Sequence, residues 1–224
     1  MYEFDFETIR ASIPVLISGI KITLLVSVVS TAIALLAGIF TAFFRSPDYF
    51  IRRYFSVFYV EITRNTPFLV QLYIYYKGLP NIGLNLNPVI CGIIALGLYT
   101  GAFISEIIRS GINSIHKEQY DAARSLGLSR LQTFRHIIFP QAIRIIIPPL
   151  GSQIINLIKN SSLVSFIAVS DVFYVIYKGA LGNFRFIEFF ITGAAVYMLL
   201  CGAVAIVFNF IEHKIKISGR MAAL

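Results

Sequence analysis

Long apolar runs without charged residues recur along this chain. The first lies between Lys21 and Arg45 and reads ITLLVSVVSTAIALLAGIFTAFF. A helix needs about 20 apolar residues to cross the hydrocarbon core of a bilayer, so this run is long enough to span a membrane. A run of similar length extends from Phe189 to Ile211. Both runs predict transmembrane helices.

Composition supports a membrane protein over a soluble one. Hydrophobic residues make up 57% of the 224 residues and charged residues only 13%, whereas soluble domains carry roughly 25% charged residues. The chain nevertheless holds 19 Lys and Arg against 11 Asp and Glu. Such an excess is typical either of nucleic-acid binding or of the cytoplasmic loops of a membrane protein, and the positions of the charges distinguish the two.

Three weaker apolar runs lie between the two strong ones. The first of them is interrupted by Glu61 and Arg64, and the last contains Pro148 and Pro149. Together the runs predict an all-α membrane protein, a single transmembrane domain over residues 1–224 with five spans at about 13–44, 54–77, 88–109, 139–159 and 187–211.

The distribution of Lys and Arg sets the orientation, because cytoplasmic loops are enriched in both. With the N-terminus outside, twelve basic residues fall inside: Arg45, Arg52, Arg53, Arg109, Lys117, Arg124, Arg130, Arg135, Arg144, Lys214, Lys216 and Arg220. At most six fall outside: Arg10, Lys21, Lys77, Lys159, Lys178 and Arg185. The start, MYEFDFETIR, lacks a basic n-region, so the first span is predicted to be retained rather than cleaved as a signal peptide. We therefore expect an outside N-terminus and a cytoplasmic C-terminus.

The longest cytoplasmic loop, at about 111–138, predicts two short helices. The first, from Lys117 to Leu126, should end at Gly127, which adopts a left-handed conformation without a side-chain clash. The second should begin with Ser129 as N-cap and Gln132 three residues later, the spacing of a capping box. The loop is thus predicted to form a helix–turn–helix.

That shape is also typical of DNA-binding proteins, but the second helix argues against this function. It carries its apolar side chains on one face, namely Leu131, Phe134, Ile137 and Ile138. It then continues through Pro140 into the fourth span, so it is not free to enter a major groove. The basic residues of the loop are interpreted as positive-inside determinants or contacts with lipid headgroups: Arg124, Arg130 and Arg135. We expect contact with membrane lipid and no nucleic acid.

The loop resembles the signature of ATP-binding cassette (ABC) importer permeases: Glu-Ala-Ala, three residues, Gly, nine residues, Ile-x-Leu-Pro. Here the signature reads Asp121-Ala122-Ala123, Gly127 and Ile137-Ile138-Phe139-Pro140, with every spacing kept. It departs in Asp for Glu, in Phe for Leu, and in His116 where members often have Pro. The segments RNTPFLVQLYIYY, GLYTGAFISEIIRSGINSI and IINLIKNSSL are similar to the polar amino acid branch of that family.

The resemblance implies a type I importer permease in the cytoplasmic membrane of a prokaryote. Its expected partners are cytoplasmic ABC ATPase subunits, a second permease subunit (an identical copy or a paired homologue) and an extracellular solute-binding protein. ATP and Mg²⁺ are expected on the ATPase, because this chain lacks the G-x-x-x-x-G-K-[ST] phosphate loop. The chain itself is therefore predicted to be a transporter subunit without cofactor, not an enzyme.

The signature predicts the residues that contact the ATPase: Asp121, Ala122, Ala123, Arg124, Gly127 and Leu128. A transporter driven by a separate ATPase needs a rigid protrusion that moves with its spans. Small residues allow such a helix to sit deep in a partner's groove, while the apolar second helix anchors the loop. Alternatively, the small residues pack this loop on its own spans.

Polar residues at membrane depth are the substrate-site candidates, since a central charge costs roughly 2.5–3.5 kcal/mol and usually has a function. They are Glu61, Arg64, Thr66 and Gln71 in the second span, and Gln153, Asn156, Asn160 and Ser161 in the fourth. Pro67 should loosen the second span, and Pro148-Pro149 should break the fourth. An ion pair between Glu61 and Arg64 is one alternative, and a polar contact between permease subunits is another.

A substrate class follows from these candidates. Glu61 is the best partner for a cationic side chain, and the groups near Asn160-Ser161-Ser162 suit an α-carboxylate. We therefore predict a basic or neutral polar amino acid, with arginine first. A secondary transporter or channel without an ATPase is the rival, although the five spans do not divide into the similar halves of an inverted repeat.

The histidines, the cysteines and the region 165–188 say less about function. His116, His136 and His213 are predicted to be surface histidines without a metal site, and Cys91 and Cys201 small apolar residues. The region 165–188 is either a half-inserted gate segment on the outer side or a plain loop, and we favour the gate.

Overall fold

A computed structural model describes residues 4–45 and 50–221 of the chain, and helices account for nearly all of them. The α-helices are α1 (Phe6–Phe44), α2 (Phe50–Asn65), α3 (Phe68–Tyr73), α4 (Pro88–Asn113), α5 (Lys117–Ser125), α6 (Arg130–Thr133), α7 (Phe139–Ser161), α8 (Val172–Asn183) and α9 (Phe186–Met221). Two π-helical turns, Ile74–Gly78 and Phe134–Ile138, and two 3-10 segments, Leu79–Ile82 and Ser162–Ile167, lie between them. Residues 1–3 and the side chains of Arg52, Lys216 and Arg220, for which we predict a side of the membrane, lie outside the described part.

Within these ranges, 4 helical segments are long and apolar enough to cross a membrane: Phe6–Phe44, Pro88–Asn113, Arg130–Ile167 and Phe186–Ile215. The predicted all-α membrane architecture is confirmed. The segment predicted as the second span, 54–77, is not one of these long helices.

Pro67 divides that segment into two helices. α2 ends at Asn65, and Pro67, with ψ of 138°, precedes α3. Proline has no backbone N–H to donate and disfavours helical geometry in the residue before it, here Thr66. The predicted loosening at Pro67 is confirmed.

α1 and α4 pack closely along small residues. A Cβ at Gly97 would lie 2.7 Å from Ile33, and a Cβ at Gly101 would lie 2.9 Å from Ala37. The Ser30 hydroxyl donates to the Ile93 carbonyl across the same interface at 3.0 Å. In a bilayer, packing and hydrogen bonds, rather than expulsion of water, hold helices together. These contacts make α1 and α4 the central pair of the bundle.

The predicted break of the fourth span at Pro148 and Pro149 is wrong. α7 continues through both prolines to Ser161. Proline has a helical φ but removes a backbone hydrogen bond and crowds the carbonyl four residues earlier. Membrane helices tolerate it because neighbouring helices and side chains satisfy the freed backbone groups. Part of that packing lies beside the prolines, where Gly151 lets Phe208 of α9 approach closely.

The region 165–188 contains an ordered helix, α8, so the plain-loop alternative is wrong. The Asp171 carboxylate caps α8 by accepting from the Tyr174 amide at 2.9 Å. The helix packs against α1 and α9 through a buried cluster of Leu16, Val172, Ile176, Ala180 and Phe189. A gate function for this region stays a prediction.

Candidate functional site: a polar cavity and the loop beside it

The loop between α4 and α7 begins with the helix that the sequence predicts. α5 ends at Ser125, and Gly127 takes a left-handed φ of 73°. The Gly127 amide donates to the Arg124 carbonyl at 2.9 Å and the Leu128 amide to the Ala123 carbonyl at 3.1 Å. These bonds satisfy carbonyls at the end of the helix, so the predicted helix end is confirmed.

The predicted capping box is also present. The Ser129 amide donates to the Gln132 side chain at 2.9 Å, and the Gln132 amide donates to the Ser129 hydroxyl at 3.3 Å. The α-helix that follows is short, because the chain changes to the π-helical turn Phe134–Ile138 before α7 begins.

An apolar cluster anchors the loop to the bundle. Its buried members are Ile115, Ile138, Ala142 and Ile146. Tyr120 of α5 packs on this cluster, and its burial raises the pKa of the phenol above the ordinary value, so this side chain is neutral. The first turn of α5 is therefore attached to the start of α7.

The predicted apolar face of the second loop helix is only partly correct. Ile138 is fully buried, but Leu131 is 75% exposed and Phe134 is also exposed. The physical reason is the π-helical turn. Its wider winding rotates the residues before it relative to those after it, so Leu131 and Ile138 no longer share a face.

The six residues predicted to contact an ATPase divide by exposure. Ala123 is fully buried within the chain itself, which favours the alternative of internal packing for this residue. Leu128 is half-buried, and the other four are exposed: Asp121, Ala122, Arg124 and Gly127. Leu126, which we did not single out, is 79% exposed beside Gly127. Its position directly before the glycine that ends α5 was the sequence signal that could have identified Leu126 as a contact residue.

A cavity of about 430 Å³ lies among α2, α4 and α7. Its described lining consists of Arg64, Phe103, Glu106, Ile107, Ser110, Gly111, Ser114, Ile145, Pro149 and Gln153. The structure thus brings together Arg64 and Gln153, one predicted site residue from each of two distant segments. Sequence reasoning missed Glu106 and Ser110, although an ionisable residue within an apolar segment was a usable signal for Glu106.

Glu106 is the centre of an ionic cluster at one side of this cavity. One carboxylate oxygen binds Arg45, at the end of α1, and the other binds Arg109, one turn along α4. Arg45 is only 12% exposed and Glu106 only 21% exposed. Because both oxygens are engaged by guanidinium groups, this carboxylate joins α1 to α4.

Arg64 has a different environment. Its guanidinium carbon lies 5.6 Å from the centroid of the Phe103 ring, within the range of a cation–π contact. The predicted alternative of an ion pair with Glu61 is wrong for the described structure, where no salt bridge joins the two side chains. Glu61 is exposed on α2 and accepts from the Asn65 side chain at 3.2 Å.

Thr66 and Gln71 stabilise the break at Pro67. The Gln71 side-chain nitrogen donates to the Thr63 carbonyl at 2.8 Å and to the Thr66 carbonyl at 3.0 Å. The Thr63 carbonyl would face residue 67 in a continuous helix, and proline has no N–H to donate. The Thr66 hydroxyl donates to the Ile62 carbonyl. These polar groups satisfy the interrupted backbone.

Three predicted residues of the fourth span lie away from the described cavity lining. Ser161 is fully buried, and its hydroxyl donates to the Ile158 carbonyl at 2.7 Å. Asn160 is half-buried, and Asn156 is exposed on the polar face it shares with Ser152 and Lys159.

The histidines are all exposed: His116, His136 and His213. Cys91 is buried and Cys201 half-buried. Among the residues that the structure describes, no group of three or more His, Cys, Asp or Glu side chains is placed to hold a metal ion.

Comparison with known proteins shows to which family this chain belongs. The model of the binding-protein-dependent transport system inner membrane component matches residues 34–217. This match covers α4, the loop, the cavity and α7. The chain belongs to this family.

Relatives of this inner membrane component include proteins named for amino acid transport. A probable glutamine ABC transporter permease protein, GlnM of Bacillus subtilis, is 39% identical over 198 residues, which are 88% of this chain and 92% of GlnM. The arginine transport system permease protein ArtQ of the same organism is 32% identical over 213 residues, which are 95% of this chain and 97% of ArtQ.

A solved structure shows the same architecture. The fold superposes on a crystal structure of an amino acid ABC transporter with histidines with a TM-score of 0.88 at 32% sequence identity, covering 95% of this chain and 100% of that one. The chain is thus an inner membrane component of a transport system and not itself an enzyme, and it lies in a bacterial-type cytoplasmic membrane.

Proposed function

We propose that this chain is the permease subunit of an ATP-driven importer of polar amino acids, with arginine or another basic amino acid as the first candidate substrate. Family membership and relatives named as glutamine and arginine permeases support the amino acid class. The expected assembly comprises a second permease subunit, cytoplasmic ABC ATPase subunits that bind ATP and Mg²⁺, and an extracellular solute-binding protein.

The observation that carries this proposal is that the loop and the cavity share the same two helices. On α7, Ala142 and Ile146 hold the loop, whereas Pro149 and Gln153 line the cavity. On α4, Ile107 belongs to both the loop's apolar surroundings and the cavity wall. A displacement of the loop would therefore act on the same two helices that line the cavity.

This connection suits a separate energy source. Only a contact that differs between two states of the partner passes free energy to the transporter. The exposed surface of α5, with Ala122 and Arg124, and Leu126 directly after it are available for such a contact. The buried cluster at its base makes the loop rigid enough to transmit the motion along packed helices.

Transport requires the chain to cross the bilayer with the loop facing the ATPase. We propose five spans, in which α2 and the α3 segment together form the second, with the N-terminus outside and the C-terminus cytoplasmic. The four long apolar helices and the charge distribution support this arrangement. The helix break at Pro67 then lies within the membrane, where the Gln71 amide supplies the missing backbone hydrogen bonds.

Arginine is favoured by the exposed carboxylate of Glu61, one helical turn from Arg64 on α2. A carboxylate near the pathway stabilises a cationic side chain, and a neutral amide side chain would gain less from it. Gln153 and Ser110 in the cavity supply neutral hydrogen-bonding groups that a polar substrate needs.

The test is uptake by proteoliposomes that contain the whole complex, purified from native membranes with its ATPase and supplied with its binding protein. We expect uptake of labelled L-arginine that requires ATP on the side of the ATPase, with labelled L-glutamine measured in parallel. Uptake by the permease alone, driven by an ion gradient and indifferent to ATP, would instead support a secondary transporter.

A further inference from the structure

We propose that the Arg64 guanidinium binds the α-carboxylate of the transported amino acid inside the cavity among α2, α4 and α7. This inference rests on the proposed function and specifies which group of the substrate is recognised there. It also replaces the sequence-based expectation that groups near Asn160 and Ser161 bind the carboxylate.

The charge of the cavity favours an anionic group. Of its described lining residues, Glu106 is the only carboxylate and Arg64 the only cation. Glu106 is already bound by Arg45 and Arg109, which lie beside the cavity. These four groups together carry three positive charges and one negative charge, so this part of the cavity attracts the carboxylate end of an amino acid, and a cationic side chain is favoured on the side of Glu61, outside the described lining.

Arg64 has the hydrogen-bonding capacity for this ligand. A guanidinium has five N–H donors in one plane, and a carboxylate accepts two of them in parallel. In the described structure Arg64 has no carboxylate partner, and its guanidinium lies over the Phe103 ring. An aromatic ring contacts the guanidinium without accepting these in-plane hydrogen bonds, so Phe103 orients the group and leaves its donors available.

The alternative carboxylate site is less suitable, because its hydroxyls are engaged. Ser161 donates to the Ile158 carbonyl and Ser162 to the Lys159 carbonyl, both at 2.7 Å. Binding a carboxylate there would require both hydroxyls to give up these bonds, and Ser161 is fully buried. In contrast, Arg64 already faces an open cavity of about 430 Å³.

The experiment measures direct binding to the purified permease–ATPase complex in lipid nanodiscs, without the binding protein, which would otherwise select the substrate first. Two pairs of probes are used: L-arginine with agmatine, and L-glutamine with 4-aminobutanamide. Each second probe lacks only the α-carboxylate. The wild-type complex should bind an amino acid about 10- to 100-fold more tightly than its partner without the carboxylate, as expected for hydrogen bonds to a charged group.

In Arg64→Gln this preference should fall to about one, whereas Arg64→Lys should keep part of it because it keeps the charge. Arg53→Gln, on the same helix but outside the described cavity lining, is the matched control and should keep the full preference. Co-purification of the ATPase in equal number shows that each variant is folded.

Two results would overturn the inference: Arg64→Gln keeps the wild-type preference for the carboxylate, or the wild-type complex shows none. Neither result affects the proposed function, which is judged separately by ATP-dependent uptake by the wild-type complex. If that uptake is absent while Arg64→Gln loses the preference, the carboxylate site stands and the importer proposal fails.

Discussion

Arg45 and Glu106 form an ion pair between the end of α1 and the wall of the cavity in α4. The same carboxylate also binds Arg109, so its two oxygens are shared between two guanidinium groups. Both members of the Arg45–Glu106 pair are largely shielded from solvent. Glu106 therefore fixes the position of α1 against α4.

Replacing Glu106 by Gln should destabilise this joint, because Arg45 and Arg109 would then lie close together without a compensating charge. Each charged hydrogen bond contributes about 1.5–3 kcal/mol. We expect a lower thermal midpoint for the purified complex in mild detergent. When Arg45→Ala is combined with Glu106→Gln, the loss of the double variant should be smaller than the sum of the two single losses, because the two residues share one interaction. Glu7→Gln, an exposed glutamate in the first turn of α1, is the control and should leave the midpoint unchanged.

The close approach of α1 and α4 gives a second prediction. Gly97→Val places a branched side chain where even a Cβ would lie 2.7 Å from Ile33. Overpacking of this kind costs typically about 1–3 kcal/mol, so the yield of monodisperse protein in mild detergent should fall. Gly202→Val should behave like the wild type, since nothing lies within 4 Å of a Cβ there. An equal loss for both variants would contradict close packing as the cause.

A third prediction concerns the turn after α5. Gly127 has a φ of 73°, and a β-branched residue there costs about 1–2 kcal/mol in backbone energy. Gly127→Val should leave the protein in the membrane but reduce ATP-dependent uptake and the amount of co-purifying ATPase. Gly83→Val imposes similar strain at a φ of 85° in the segment between α3 and α4, and its ATPase should remain bound. Normal transport by Gly127→Val would contradict the proposed role of the loop in coupling transport to the ATPase.

The substrate preference is tested at Glu61. Because its carboxylate is exposed and does not form an ion pair with Arg64 in the described structure, it is available to a cationic side chain. Glu61→Gln should weaken arginine uptake about tenfold, the effect of losing one charged interaction of about 1.4 kcal/mol, while uptake of neutral amino acids persists. Competition between labelled L-arginine and L-glutamine in proteoliposomes measures this. An equal loss for every amino acid, or no loss, would count against the assignment.

The local features were predictable from sequence because they depend on neighbours along the chain. Gly127 ends α5 for a steric reason, and Ser129 with Gln132 satisfies orphan backbone groups within three residues. The long apolar runs likewise predict helices that four described segments form. In contrast, the π-helical turn Phe134–Ile138 has no simple pattern, and it rotated Leu131 and Phe134 out of the predicted face.

The cavity was only partly predictable, since it depends on which helices meet. Arg64 and Gln153 lie far apart in sequence, and only packing brings them to one cavity. Glu106 is held in place by its ion pair with Arg45, which lies at the end of another helix, so its role is visible only in the folded chain. The polarity of Gln71 at membrane depth predicts a substrate-site residue, but its side-chain amide donates to the Thr63 and Thr66 carbonyls at the helix break, which the sequence does not show.

A pull-down of the tagged chain from its native membranes in mild detergent tests whether the chain works with a separate ATPase. Every co-eluting subunit is identified and its stoichiometry measured. We predict an ATPase subunit with a G-x-x-x-x-G-K-[ST] phosphate loop, equal in number to the permease subunits, and any sister permease would be detected at the same time. A chain that reproducibly elutes alone, under conditions that preserve other ATPase–membrane complexes, would contradict coupling to an ATPase subunit and favour a secondary transporter.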